Sequence, residues 1–301
     1  MTFKSVIQEN KNDIAFIVGN GINRHNENPN SVSWDDLLLR LWRKFAPDVF
    51  NSVPKGITIT EFYDLLDLAS DGELSKSFGI QKEAARILDD TNFAQHHVSF
   101  IRMAKSIGAP VLTTNFDLIM ARTLNLEKYF ITKKAFTDFY PWSTYYGDKQ
   151  LDLPTEDFGI WFLNGFIEYH RSIRLGLSHY MGSVQRARTM IHGNTGDSLF
   201  KSKDNQNWVG QETWLHILFN KNICVFGLGL EENEVFIRWI LIERAKYFKK
   251  FPERKKLGWY VAPKVEKPKD SIIGKRYFLE SIGLKLIEAE DYNEIYDNSW
   301  G

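Results

Sequence analysis

The chain has 301 residues, with 38 Lys and Arg against 38 Asp and Glu, and one cysteine, Cys224. Hydrophobic residues at 43% are ample for a buried core and exclude a disordered chain, while the balanced charge removes the usual reason to expect nucleic acid as a direct ligand or an anionic membrane as a partner. A single thiol excludes both an intramolecular disulfide framework and any zinc site with two or more thiolates.

In chain order, the polar residues before 14 lack the apolar segment of a signal peptide. Residues 14–18 (IAFIV) then form the first of six short apolar runs read as strands. Ser33 is placed to cap an amphipathic helix over residues 34–42. Helical patterns follow at 60–68, 81–88 and 97–107, before the second strand at 110–113 (PVLT). The third strand is 160–163 (IWFL), and 181–222 is polar and irregular, expected to be a lid or small subdomain. Strands at 223–226 (ICVF), 258–261 (GWYV) and 284–287 (LKLI) flank a helix at 232–248. The basic cluster from Arg244 to Lys256 reads as the solvated end of that helix, favourable to its dipole.

Continuous apolarity within the strands implies cover on both faces, as in a doubly wound parallel sheet, so the fold class is α/β. About ninety residues separate the first two strands, far more than one crossover helix needs, so residues from about 30 to 100 are expected to form a helical insertion. The expectation is a single domain over residues 1–301, carrying that insertion and the 181–222 stretch. The apolar runs are too short to cross a bilayer, and a cytoplasmic protein is expected.

Four strand ends carry glycine or small polar residues. Val18-Gly19-Asn20-Gly21-Ile22-Asn23 follows the first strand, where glycines let backbone approach a ligand and N–H groups can cradle a pyrophosphate. Thr113-Thr114-Asn115-Phe116-Asp117 follows the second, with groups able to hold ribose hydroxyls or orient a water; Thr114 or Asn115 is equally able to cap a helix starting at Phe116. Asn164-Gly165 follows the third, ahead of Ser172-Ile173-Arg174-Leu175-Gly176 and Tyr180. Phe226-Gly227-Leu228-Gly229-Leu230-Glu231-Glu232-Asn233-Glu234 follows the fourth. His96 and His97 read as packing or solvent contacts at a helix start, and Trp34, Trp42 and Trp239 as core.

Taken in order over residues 10 to 295, this set resembles the sirtuin-like family, in its bacterial NAD-hydrolase branch, which also carries the Ser33-Trp34-Asp35-Asp36-Leu37-Leu38 run after the glycine loop. The resemblance implies a Rossmann-like domain that takes NAD as substrate, without a metal, and cleaves it to nicotinamide and ADP-ribose. It assigns Gly19, Asn20, Gly21 and Asn23 to the phosphates and nearby ribose, with Thr114 beside them. Asn115 matches the catalytic Asn that positions water or the nicotinamide ribose, and Asp117 the Asp that supports that end. Gly227 and Gly229 match the loop near the adenosine half, and Glu231 is expected to reach a ribose hydroxyl. Deacetylase sirtuins hold zinc with four cysteines, which Cys224 alone cannot do. The branch acts in antiphage defence by NAD depletion, which implies a homo-oligomer controlled by a partner such as a HerA-type ATPase.

One position departs from the pattern. The family carries His before Gly165, and this chain has Asn164. Imidazole accepts a proton near pH 7 and a carboxamide does not, so the chain is expected to be catalytically impaired, by ~10²–10⁴-fold if nothing replaces the base. Three alternatives stay open: an engineered His→Asn change, a natural variant with weak activity or a substitute base such as His170 or His179, or a non-catalytic subunit that binds NAD or ADP-ribose in a regulatory role.

Overall fold

Five apolar residues in a row make the centre of the sheet. In a computed structural model that describes residues 1–27, 31–46, 50–70, 78–90, 92–134, 136–266 and 270–300, strand β1 is Ile14–Val18. Ile14, Phe16 and Val18 point into one core and Ala15 and Ile17 into the other. Alternation between two dry faces is why the run shows no polar partner positions. The other strands are β2 (Val111–Thr113), β3 (Glu127–Phe130), β4 (Thr144–Gly147), β5 (Ile160–Phe162), β6 (Asn222–Phe226), β7 (Gly258–Pro263) and β8 (Lys285–Ala289).

The sheet order is β3-β4-β5-β2-β1-β6-β7-β8. Six of these strands run parallel, and the pairs β3–β4 and β4–β5 are antiparallel. The fold is therefore α/β with a mostly parallel, Rossmann-like sheet, as expected. The β3–β4 hairpin was not expected, because its Glu127-Lys128-Tyr129-Phe130 edge is short and half polar. From β1 the chain moves outward through β2 to β5, then returns across β1 to β6. That reversal puts the topological switch at β1, where the carboxyl ends of parallel strands leave a crevice.

Helices cover both faces. On the first lie α1 (Phe3–Asn10), α3 (Trp34–Phe45), α4 (Ile59–Ala69), α5 (Gly79–Asp89) and α6 (Gln95–Ser106), after a one-turn α2 (Gly21–Arg24). Helix α1 escaped the sequence reading; Thr2 and Ser5 cap it reciprocally, and Phe3 and Val6 are fully buried. Ser33 caps α3 as expected, accepting the Asp36 N–H at 3.1 Å. The helix expected to start at Phe116 begins at Ile119 instead, as α7 (Ile119–Arg122), and neither Thr114 nor Asn115 caps it.

The second face carries α8 (Leu177–His192), α9 (Leu215–Asn220), α10 (Val235–Lys250) and α11 (Asp270–Ser281), whereas α12 (Tyr292–Tyr296) packs its Ile295 and Tyr296 into the first core. Residues 181–222 are less irregular than their composition implies: α8 runs through the first twelve of them. Leu199, Trp208 and Trp214 then bury themselves in the same core as α8 and α10, so this stretch is a layer of the sheet rather than a lid. Cys224 sits buried in β6, where burial pushes its thiol pKa up.

Arg244 is not solvated, contrary to the reading of its basic cluster. It is 2% exposed, with Nε 2.8 Å from the Leu218 carbonyl and Nη2 2.9 Å from that of Leu257. Further bonds at 3.3 Å reach Lys221 and Lys256. One guanidinium thus satisfies carbonyls at the end of α9 and at the entry to β7. Arg244→Ala is expected to lower unfolding free energy by about 3 kcal/mol, read from the denaturant midpoint, because these carbonyls lose their donor inside the protein. A change below about 0.5 kcal/mol, the range of ordinary surface substitutions, would contradict this role.

Candidate functional site

The loops after β1 and β6 touch backbone to backbone at the switch point. Gly19 N–H donates to the Phe226 carbonyl at 3.1 Å, and Gly21 N–H to that of Gly227 at 2.8 Å. A Cβ on Gly19 would lie 2.5 Å from the Gly227 oxygen, and one on Gly21 only 2.4 Å from the Tyr296 hydroxyl. Gly227 itself has φ +66°. These glycines are needed first for the two loops to meet.

A chain of buried side chains ties this loop pair to the loop after β2. Asn20 Nδ2 donates to the Val32 carbonyl at 2.9 Å. Asn23 Nδ2 donates to Asn20 Oδ1 at 3.0 Å and to Asp117 Oδ2 at 2.9 Å. Its Oδ1 lies 3.1 Å from His97 Nε2, and His97 Nδ1 accepts the Ala94 N–H at 3.0 Å. That pattern assigns the proton to Nε2 of a neutral imidazole. Asp117 Oδ1 accepts the Ile119 N–H at 3.0 Å. Burial raises the Asp117 pKa, opposed by these hydrogen bonds. Beside this chain, His96 Nε2 bonds the Ile22 carbonyl at 2.7 Å, and His25 Nε2 lies 2.7 Å from Asp297 Oδ2. The insertion and the C-terminal segment therefore both hold the loop after β1.

Asn115 is fixed by its backbone. Its N–H donates to Thr113 Oγ1 at 3.0 Å, and that hydroxyl donates to the Val18 carbonyl at 3.0 Å. The Asn115 side chain is buried, yet its Nδ2 has no hydrogen-bond partner among the described residues. Asn164 is also buried, at the end of β5, and its carbonyl accepts the Arg174 N–H at 3.0 Å. Gly165 beside it has φ +86°, and a Cβ there would lie 2.1 Å from the Ser172 oxygen. That is why Asn164-Gly165 and the Ser172–Gly176 run belong together.

A cavity of about 660 Å³ opens over these strand ends. It is lined by Thr114, Asn115, Asp117 and Asn164 on one side and by Asn20, Gly21, Gly227, Gly229 and Glu231 on the other. Gly19 and Asn23, expected to contact a ligand, do not line it. Gly19 is spent on the loop contact, and the Asn23 carboxamide on Asp117 and His97. His170 and His179 do not line it either. His179 Nδ1 accepts the Leu175 and Gly176 amides at 3.3 Å, and burial pushes its pKa down to about 4.

Three lining residues were not expected as site residues. Trp34, read as core, is half-buried on the cavity with its Nε1 unpartnered among the described residues. Tyr180 is 2% exposed with its hydroxyl likewise unpartnered. Their rings lie 6.1 Å apart, and Trp34 is 6.4 Å from Phe116. Glu234, the third, accepts the Glu231 N–H at 3.0 Å. Tyr180 and Glu234 stood inside motifs already noted. His97 carried no such signal, since its partner Asn23 is 74 positions away. Two asparagines, free indole and phenol donors and a pair of glycine loops suit a polar ligand rich in acceptor oxygens.

Burial pushes the His97 pKa from 6.5 down to about 3. Below 6.5 the unfolded chain takes up a proton that folded His97 refuses, so this stability is complete above that pH and falls as pH drops towards 3. Urea unfolding at several pH values should show a shallower loss from pH 6.5 to 4 in His97→Gln than in the parent; equal slopes would contradict a buried neutral His97.

In comparisons with known proteins, the chain matches no protein-family model and no curated protein sequence.

Proposed function

We propose that the chain binds NAD in this cavity and hydrolyses the nicotinamide–ribose bond, as a sirtuin-like NAD hydrolase. The observation that carries the reading is the convergence of Thr114, Asn115, Asp117 and Asn164 with both glycine loops on one cavity of about 660 Å³. That volume lies within the roughly 300–1,000 Å³ of small-molecule and cofactor sites. The unpartnered Asn115 Nδ2, Trp34 Nε1 and Tyr180 hydroxyl fit a ligand that brings phosphate, ribose and carboxamide acceptors.

In this reading, backbone at Gly21, Gly227 and Gly229 approaches the pyrophosphate without side-chain obstruction. The Asn115 carboxamide orients water or the nicotinamide ribose. Asp117, with its oxygens bonded to Asn23 and Ile119, holds the Asn115 loop rather than the substrate. Glu231 pairs with Lys275 at 2.5 Å on the rim, within reach of a ribose hydroxyl only if that pair opens. The wider role rests on the family resemblance: NAD depletion in antiphage defence (abortive infection), in the cytoplasm, by a homo-oligomer under the control of a HerA-type ATPase or another defence partner.

Asn164 favours a second reading, a non-catalytic regulatory subunit that binds NAD or ADP-ribose. Calorimetry with NAD and chromatographic assay of nicotinamide separate the two. We expect NAD binding with release of one nicotinamide and one ADP-ribose per NAD, a higher rate in Asn164→His, and a loss of about 10²–10³-fold in Asn115→Ala. Binding without release in both the parent and Asn164→His selects the regulatory reading, and absence of binding overturns both.

A further inference from the structure

Asn164 leaves the reaction end of the cavity without the imidazole that would take a proton there. Among the described residues, the carboxylates on the cavity are Asp35, Asp117, Glu231 and Glu234. Asp35 is exposed in the first turn of α3. Each Asp117 oxygen already accepts a hydrogen bond, from Asn23 and from Ile119. Glu231 is exposed and paired with Lys275.

Glu234 is different. It is half-buried at the residue preceding α10, yet its side chain makes no capping bond to that helix. Glutamate is not among the residues favoured for capping, so the helix gives no local reason for it. Its carboxylate is bonded by backbone alone, accepting the Glu231 amide on Oε2 at 3.0 Å with a further backbone bond from Leu230. Across the cavity wall α8 packs along α10 and presents Tyr180, whose hydroxyl has no partner and whose ionisation the Glu234 charge opposes. Tyr180 leads through Trp34 to Phe116, the neighbour of Asn115. Glu234, the free donors of Tyr180 and Trp34, and Asn115 thus all line one cavity.

We propose that Glu234 is the general base of this site, a role that rests on the NAD-hydrolase reading and replaces the one His would have at position 164. The Glu234 carboxylate takes one proton from the attacking water. The water oxygen bonds to the ribose anomeric carbon as the bond from that carbon to the pyridinium nitrogen breaks. The bonding pair leaves with nicotinamide, which departs neutral, and the other product is ADP-ribose. The proton on Glu234 then passes to solvent. Tyr180 and Asn115 donate hydrogen bonds that hold water and ribose in place.

The surroundings keep this carboxyl near its working range. Burial, with the Glu231 charge adding to it, pushes the Glu234 pKa up to about 7 against its backbone hydrogen bonds and the charge of Lys275. Tyr180 on α8 and Tyr260 on β7 face it as neutral phenols, and Arg238 on α10 is bonded to the Leu230 carbonyl. A group that titrates near neutrality suits proton transfer at that pH.

The test follows nicotinamide release from NAD across pH 5 to 9 for the parent, Glu234→Gln, Glu234→Asp and Asn164→His, with NAD affinity from calorimetry. The parent kcat/KM is expected to rise tenfold per pH unit below about 7 and level above it. Glu234→Gln should bind NAD within about threefold of the parent, lose ~10²–10⁴-fold in kcat and lose that inflection. Glu234→Asp should restore part of the rate with a shifted inflection, which a purely structural role would not produce. A parent that turns over NAD while Glu234→Gln keeps its rate and inflection overturns the base and leaves the hydrolase reading standing. Release of nicotinamide by Asn164→His but not by the parent overturns the base and leaves the hydrolase reading standing, and release by neither overturns both.

Discussion

The bond from Asn23 to Asp117, 2.9 Å long and buried, is the contact on which the arrangement of this site depends. A carboxylate removed from water needs donors, and a carboxamide removed from water needs partners for two N–H groups and one oxygen. Here each group combines a local partner with a distant one. Asp117 draws on Asn23 and Ile119, and Asn23 on Asn20, Asp117 and His97. Leaving one such group unpaired costs roughly 1–3 kcal/mol, so the loops after β1 and β2 and helix α6 settle together or not at all. Asn115, two residues before Asp117, inherits a fixed position from this network while its own amide stays unpartnered.

The glycine loops add a steric constraint to this polar one. Parallel β1 and β6 end side by side, and their loops approach closely enough that a side chain on Gly19 or Gly21 would strike backbone or Tyr296. A glycine motif after a strand is usually read as a cradle for phosphate. Here part of it serves contact between the two loops, and Gly21, Gly227 and Gly229 remain for the cavity. The same strand ends therefore supply both the closure of the crevice floor and a surface that backbone N–H groups can share with a ligand.

The insertion between β1 and β2 is part of the site rather than an ornament on it. Helix α3 brings Trp34 to the cavity, and α6 brings His97 to Asn23 and His96 to Ile22. On the opposite face α8 and α10 bring Tyr180 and Glu234. In the proposed hydrolase these two faces divide the work: one orders the reacting loop, and the other supplies hydrogen-bond donors and a carboxylate. Under that proposal Asn164 does not leave the site without a base, since position 164 is one of several that border the same space.

Sequence alone determined the parallel core and the strand-end loops that border the cavity. Continuous apolar runs can be satisfied only between two covered faces, and glycine or small polar residues at strand ends have local causes that a linear reading recovers. It was weaker where the signal is distributed: the half-polar β3–β4 hairpin, α1 in a polar N-terminus, and the packed residues after His192 show little periodicity of their own. Tertiary structure alone decided which motif residues line the cavity and which hold the fold. Gly19 and Asn23 went to the frame, Arg244 to buried carbonyls, and Trp34, Tyr180 and Glu234 to the cavity, because close approach and hydrogen-bond partnership depend on neighbours up to a hundred or more positions away. Spacing along the chain does not encode those distances.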